Sequence, residues 1–197
     1  MKPAPDSRSP FRRLLTTHGF VALIVANTLG FGGEQMRLAA QSWWILGEGG
    51  SNTAVGLAAG LRLFPVILIS LYAGVMIDRF GGKRVLLVER CLLGVLALAT
   101  ALVLLTESVE IWHIVALSTL AGATIALGFP ATQTLVPEIV PIPLRQSANL
   151  LNQIGMSAGQ TLGPLLSGIL IALRSVSTAF FGLTALYVVS AAVTLKL

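Results

Sequence analysis

Four polar residues and a glycine share one face of an otherwise apolar stretch near the start of the chain. Asn27, Gly30, Glu34, Arg37 and Gln41 fall within an arc of about 80° at about 100° per residue, so a helix there carries a polar stripe along much of its length. If that helix spans a bilayer, each ionised group costs about 2.5–3.5 kcal/mol in hydrocarbon and must face a partner or a wet cavity. Glu34 can pair with Arg37, three residues on along the same face, or with Arg62 of the next apolar stretch, which lies at a similar depth. It is equally a candidate for substrate or proton handling, and the two roles can coexist. A second polar stripe, Asn149, Gln153, Met156 and Gln160, recurs at helical spacing further on and could line the same cavity.

The other chemistry-bearing group is GVMIDRFGGKR, Gly74 to Arg84, between two apolar runs. Gly81 and Gly82 suit the positive φ of a tight turn, and Asp78 can cap orphan N–H groups. Arg79, Lys83 and Arg84 hold the turn on one side of a membrane. The single cysteine, Cys91, makes no disulfide framework within the chain, and with two scattered histidines it forms no metal constellation. There is no nucleophile–base pair either, so neither an enzyme nor a cofactor is expected.

The elements that must position these residues are membrane helices. Mean hydropathy is +0.85, 55% of the 197 residues are hydrophobic and only 11% are charged, against about a quarter in soluble domains. Six stretches are long enough to span: about 19–46, 53–77, 84–106, 111–135, 148–173 and 176–195, with a proline-punctuated loop at 136–147. Residues 1–18 form a basic cytoplasmic tail, disordered at first and interfacial from Phe11 to Leu15.

Basic residues test this topology. With both termini inside, Lys2, Arg8, Arg12, Arg13, Arg79, Lys83, Arg84, Arg145 and Lys196 lie on the inner side, and only Arg174 on the outer. That asymmetry sets one orientation and explains the net charge of +5 without nucleic acid.

The spans differ in character. The third beyond Arg90, and most of the sixth, are apolar all round and expected to face lipid, with Arg90 snorkelling to the interface. The fifth has Gly155, Gly159, Gly163 and Ser167 every four residues, a flat ridge for close helix packing, and Pro164 predicts a kink. An echo between Ala73-Gly74-Val75-Met76-Ile77 and Ser167-Gly168-Ile169-Leu170-Ile171 fits two inverted three-helix repeats.

The Gly74–Arg84 string resembles the signature between helices 2 and 3 of the major facilitator superfamily, G-x-x-x-D-R-x-G-R-[RK]-[RK], with Gly82 replacing a basic residue. Gly159-x-x-x-Gly163-Pro164-x-x-Ser167-Gly168 resembles that superfamily's helix-5 exporter signature, with Ser167 for a glycine. Gly33-Glu34-Gln35-Met36, Ala40-Gln41-Ser42-Trp43, Phe64-Pro65, Phe129-Pro130-Ala131 and Val136-Pro137 resemble its drug:proton antiporter-3 branch, which includes macrolide and siderophore exporters.

The resemblance implies an all-α membrane protein, alternating-access export, a cavity lined by helices 1, 4 and 5, and a cytoplasmic latch built on Gly74, Asp78, Arg79, Gly81, Lys83 and Arg84. A helix-4 arginine tied to proton coupling has no counterpart in 111–135, which leaves coupling open; Arg62 or the Glu34/Arg37 pair are the available substitutes. The superfamily has twelve helices, so six imply the N-terminal half of an exporter in a bacterial-type plasma membrane. Its partners would be lipid, a small-molecule substrate, and a second half or a second copy of this chain. The competing expectation is a truncated half or scaffold that does not transport.

Overall fold

The computed structural model describes residues 10–106 and 108–197. The disorder expected of the first residues lies outside this range. The elements are α1 (Pro10–Leu15), α2 (His18–Gly47), α3 (Asn52–Phe80), α4 (Gly82–Val103), α5 (Ile111–Ile125), α6 (Gly128–Ile139), a 3-10 turn (Ile142–Leu144), α7 (Arg145–Leu173) and α8 (Val176–Leu195). With α5 and α6 forming one broken rod, there are six long rods among the described residues. Five of them are long and apolar enough to cross a membrane. The exception is α2, which is about 45 Å long; its polar stripe lowers its apolarity.

Helix ends follow local chemistry. Ser51 accepts from the Ala54 N–H at 3.2 Å and Ser175 from the Thr178 N–H at 3.3 Å, capping α3 and α8. The α3–α4 link is shorter than the glycine pair suggests. Gly81 alone makes it, at φ 83° and ψ 144°, a region essentially open to glycine only. Gly82 is already helical and buried, and a Cβ there would come within 3.1 Å of the Ala131 carbonyl. Asp78 does not cap α4, whose N-terminus has no side-chain cap.

The fourth span is broken, where the sequence reads as one helix. Pro130 has no N–H for the Ala126 carbonyl and its ring crowds that group, so α5 stops at Ile125 and α6 restarts at Gly128. The expected loop is largely helical: α6 runs to Ile139, and the Arg145 guanidinium donates to the Pro137 carbonyl at 2.9 Å and the Val140 carbonyl at 3.3 Å, satisfying its end. In contrast, α7 continues through Pro164 without interruption.

The first rod packs along the fifth, the second along the outer part of the fourth, and the third along the sixth. Exchanging the two three-helix units maps the first pairing onto the second and the third onto itself, the symmetry expected of two repeats. Apolar side chains form three layers. One, at the Gly81 end, gathers Leu14, Phe20, Ile77, Leu86 and Val136; a central one holds Met36, Leu93, Phe180 and Leu183; the third holds Trp44, Ile45, Ala58 and Ile114. Thus Leu14 of α1 is tucked into the bundle while Phe11 and Leu15 point outward. Large apolar side chains such as Leu71, Tyr72, Val95 and Leu173 cover the outside, as lipid contact requires.

Candidate functional site

The polar stripe of α2 points inward. Asn27, Glu34, Arg37 and Gln41 are each 5% exposed or less. Glu34 meets both of its candidate partners. Arg37 grips it with two bonds, Nη2 to Oε1 at 2.6 Å and Nε to Oε2 at 3.1 Å, and Arg62 of α3 pairs with Oε1 from the other side. Arg37 also donates from Nη1 to Gln41 Oε1 at 3.0 Å and to Ser118 Oγ of α5 at 2.6 Å. The triad therefore ties α2, α3 and α5 together. It carries two guanidiniums to one carboxylate, a net positive charge in mid-bundle. A water-sized cavity of about 10 Å³ adjoins Arg37 and Gln41.

Nearer the Gly81 end, Asn27 joins three helices. Its Nδ2 donates to Asn152 Oδ1 of α7 at 2.9 Å, and its Oδ1 accepts from Thr132 Oγ1 of α6 at 3.0 Å. Asn152 and Thr132 were not among the expected site residues. The available signal was that Asn152 lies one helical register from the stripe at Asn149 and Gln153. Those two residues and Gln160 are exposed on the adjoining face of α7 and do not line the Asn27 cavity; of that stripe, Met156 alone lines it.

The glycine ridge packs as expected. A Cβ on Gly159 would stand 2.7 Å from the Thr28 carbonyl and 2.8 Å from the Gly32 amide, so the α2 and α7 backbones nearly touch; Gly155 and Gly163 press on the same helix and Ser167 is fully buried. Gly168 and Pro164 face outward, Gly168 into open space.

Arg90 corrects the sequence expectation. It does not snorkel but is 5% exposed, its guanidinium lying over Gly30, and Nη1 donates to Glu89 Oε1 at 3.0 Å. Nor are the third rod beyond Arg90 and the sixth purely lipid-facing: α4 buries Leu93, Ala97, Thr100 and Ala101, and α8 buries Tyr187, Ser190 and Thr194. At the α3–α4 turn, Gly74, Asp78, Arg79, Gly81 and Arg84 are all exposed, and Lys83 donates to the Leu195 carbonyl at 3.0 Å. Among the described residues Asp78 has no ion-pair partner. No group of three or more His, Cys, Asp or Glu is placed to hold a metal among them.

A bundle of apolar rods around a buried ionic core, with an outer surface of leucine and valine, defines a multi-pass integral membrane protein in contact with the lipid bilayer. Residues 19–197 match the profile of the Major Facilitator Superfamily, and the chain belongs to that family. It is similar to the Multidrug efflux pump Tap of Mycobacterium tuberculosis, at 24% identity over 76% of this chain and 37% of that protein. The Putative multidrug resistance protein MdtD of Pectobacterium atrosepticum is 30% identical over 83% of this chain and 35% of its own length. The Staphyloferrin A transporter of Staphylococcus aureus is 24% identical over 79% and 40% respectively. The chain spans between about a third and two-fifths of the length of these relatives.

Proposed function

We propose that residues 19–197 are the N-terminal six-helix half of an alternating-access exporter of small molecules of drug-like, macrolide or siderophore type, and that no catalysis is involved. Residues 1–18 are its cytoplasmic tail, and the protein lies in a bacterial plasma membrane with both termini inside. The observation that carries this reading is the outer face of α7. Asn149, Gln153 and Gln160 are exposed there along a membrane-spanning helix, where lipid would penalise them. A second half, whether further residues of the same protein, a separate chain or another copy of this one in the same orientation, would enclose that face as one wall of a wet substrate cavity.

The turn between α3 and α4 fits the same assembly. Asp78, Arg79 and Arg84 are exposed at one end of the bundle, and Asp78 is in no ion pair among the described residues, as suits a latch that meets a second half. In this reading Glu34 is chiefly structural, since both of its oxygens are engaged by guanidiniums.

The test is the native mass of the chain extracted from its membrane in mild detergent, followed by efflux of dyes, macrolides and siderophores. A dimer or a complex with another six-helix protein, together with efflux above an empty-membrane control, supports the proposal. A monomer without efflux supports the competing reading of a truncated half or scaffold.

A further inference from the structure

Two carboxyl side chains are buried among the described residues, and they differ in how they are satisfied. Glu34 has both oxygens bonded. Glu89 is fully buried on α4, eight residues beyond Gly81 and so about 12 Å along the helix. Its Oε1 accepts from Arg90 Nη1 at 3.0 Å. Its Oε2 lies 3.0 Å from the same nitrogen without a hydrogen bond, and Arg90 Nε is also unpartnered. Buried polar atoms left in this state are rare and point to an unfilled partner.

The surroundings are shaped to hold the pair. A Cβ on Gly128 would sit 2.8 Å from Glu89 Oε1, and one on Gly30 would collide with the Arg90 guanidinium, so both neighbouring helices leave room. Beside the pair lies a cavity of about 60 Å³, space for about four waters. Asn27, Thr132 and Asn152 line it and supply the polar partners that water needs, while Phe31 and Phe129 bound its apolar side. The charged and titratable groups acting on Glu89 are Arg90 on its own helix, Glu34 on α2, and Tyr187 on α8, whose buried hydroxyl is also unpartnered. Across the cavity α6 and α7 present the neutral Thr132 and Asn152.

We propose that Glu89 is a proton-binding site of this protein, loaded and emptied by water in the adjoining cavity. A proton passes from hydronium to Oε2, forming the carboxyl O–H and returning water to the cavity; release reverses the step. Glu89 lies within electrostatic reach of Glu34, so its charge state is felt by the ionic triad. The site goes beyond the export reading and does not depend on it. In an exporter it would supply a coupling proton at a position separate from the exposed α7 face.

Infrared difference spectroscopy of the intact chain in lipid bilayers, from about pH 5 to about pH 9, tests this over the range in which buried glutamates titrate. The expected result is a protonated-carboxyl band that comes and goes with pH, is lost in Glu89→Gln and is retained in Glu34→Gln. If Glu89→Gln does not fold, Glu89→Asp keeps the carboxyl and should shift the band. A titrating band unchanged by both Glu89 variants, or no titrating band in the native chain, would overturn the proposal. Because the readout needs no transport, failure of the efflux assay and failure of this site are separately visible.

Discussion

Replacing Glu34 by glutamine removes the only carboxylate from a cluster that also holds Arg37 and Arg62. Two guanidiniums would then face each other with Gln41 and Ser118 as neutral partners of Arg37. Removing one member of a buried ion pair costs about 3–5 kcal/mol, because the remaining charge is left uncompensated. Arg62 retains a side-chain exposure of 13%, which lets it relax toward the surface and favours the lower end of that range. At about 2–4 °C per kcal/mol for a chain of this size, the midpoint of thermal unfolding in detergent should fall by roughly 6–12 °C. Adding Arg62→Gln restores the original net charge and should recover at least about 2 °C, whereas Arg62→Gln alone leaves the Glu34–Arg37 grip intact and should cost about 1 kcal/mol. Size-exclusion chromatography with fluorescence detection after heating gives all four midpoints. A Glu34→Gln midpoint within about 2 °C of the native protein would refute the structural role given to the triad.

The glycine ridge separates into sensitive and tolerant positions. Gly159→Ala should lower stability by about 1–3 kcal/mol, because the atoms its Cβ would meet are backbone and cannot swing away, while Gly168→Ala should stay within about 0.5 kcal/mol in the same melting assay. Gly81→Ala should cost about 1–3 kcal/mol, since a side chain strains the φ of 83° in the one-residue link; equal melting curves would count against that geometry. Asp78→Asn should leave insertion and melting unchanged and impair efflux; normal efflux from correctly inserted protein would remove the turn as a latch.

The main lines of the fold were legible because bilayers reward long apolar runs and leave basic residues at the ends of helices. The inward face of α2 was equally legible, since Asn27, Glu34, Arg37 and Gln41 keep helical period and no lipid-facing helix tolerates them. The break in the fourth span was missed because periodicity and apolarity run straight through Ala126 and Leu127; the signal was Pro130, four residues after the carbonyl it displaces. Arg90 was misread for a different reason. It lies close enough to a helix end to reach water, and only the clearances left by Gly30 and Gly128, distant in sequence, show that it turns inward with Glu89. Likewise Asn152 rather than Asn149 meets Asn27, a choice set by the rotation of α7 on its glycine ridge.

The polarity of α2 also bears on how the protein is made. This helix is the first of the long rods to leave the ribosome, and it is the one that does not meet the apolarity of a spanning helix. Its most extensive neighbour is α7, which is complete only at Leu173, roughly 125 residues later. At about 5–20 residues per second, α2 waits on the order of 6–25 s before the ridge it packs against exists. During that interval the Asn27 side chain has no α6 or α7 to meet and Arg37 has no Ser118 on α5, while Glu34 already has Arg37 on its own helix. The polar face of α2 is therefore fully covered only once the later helices are in place.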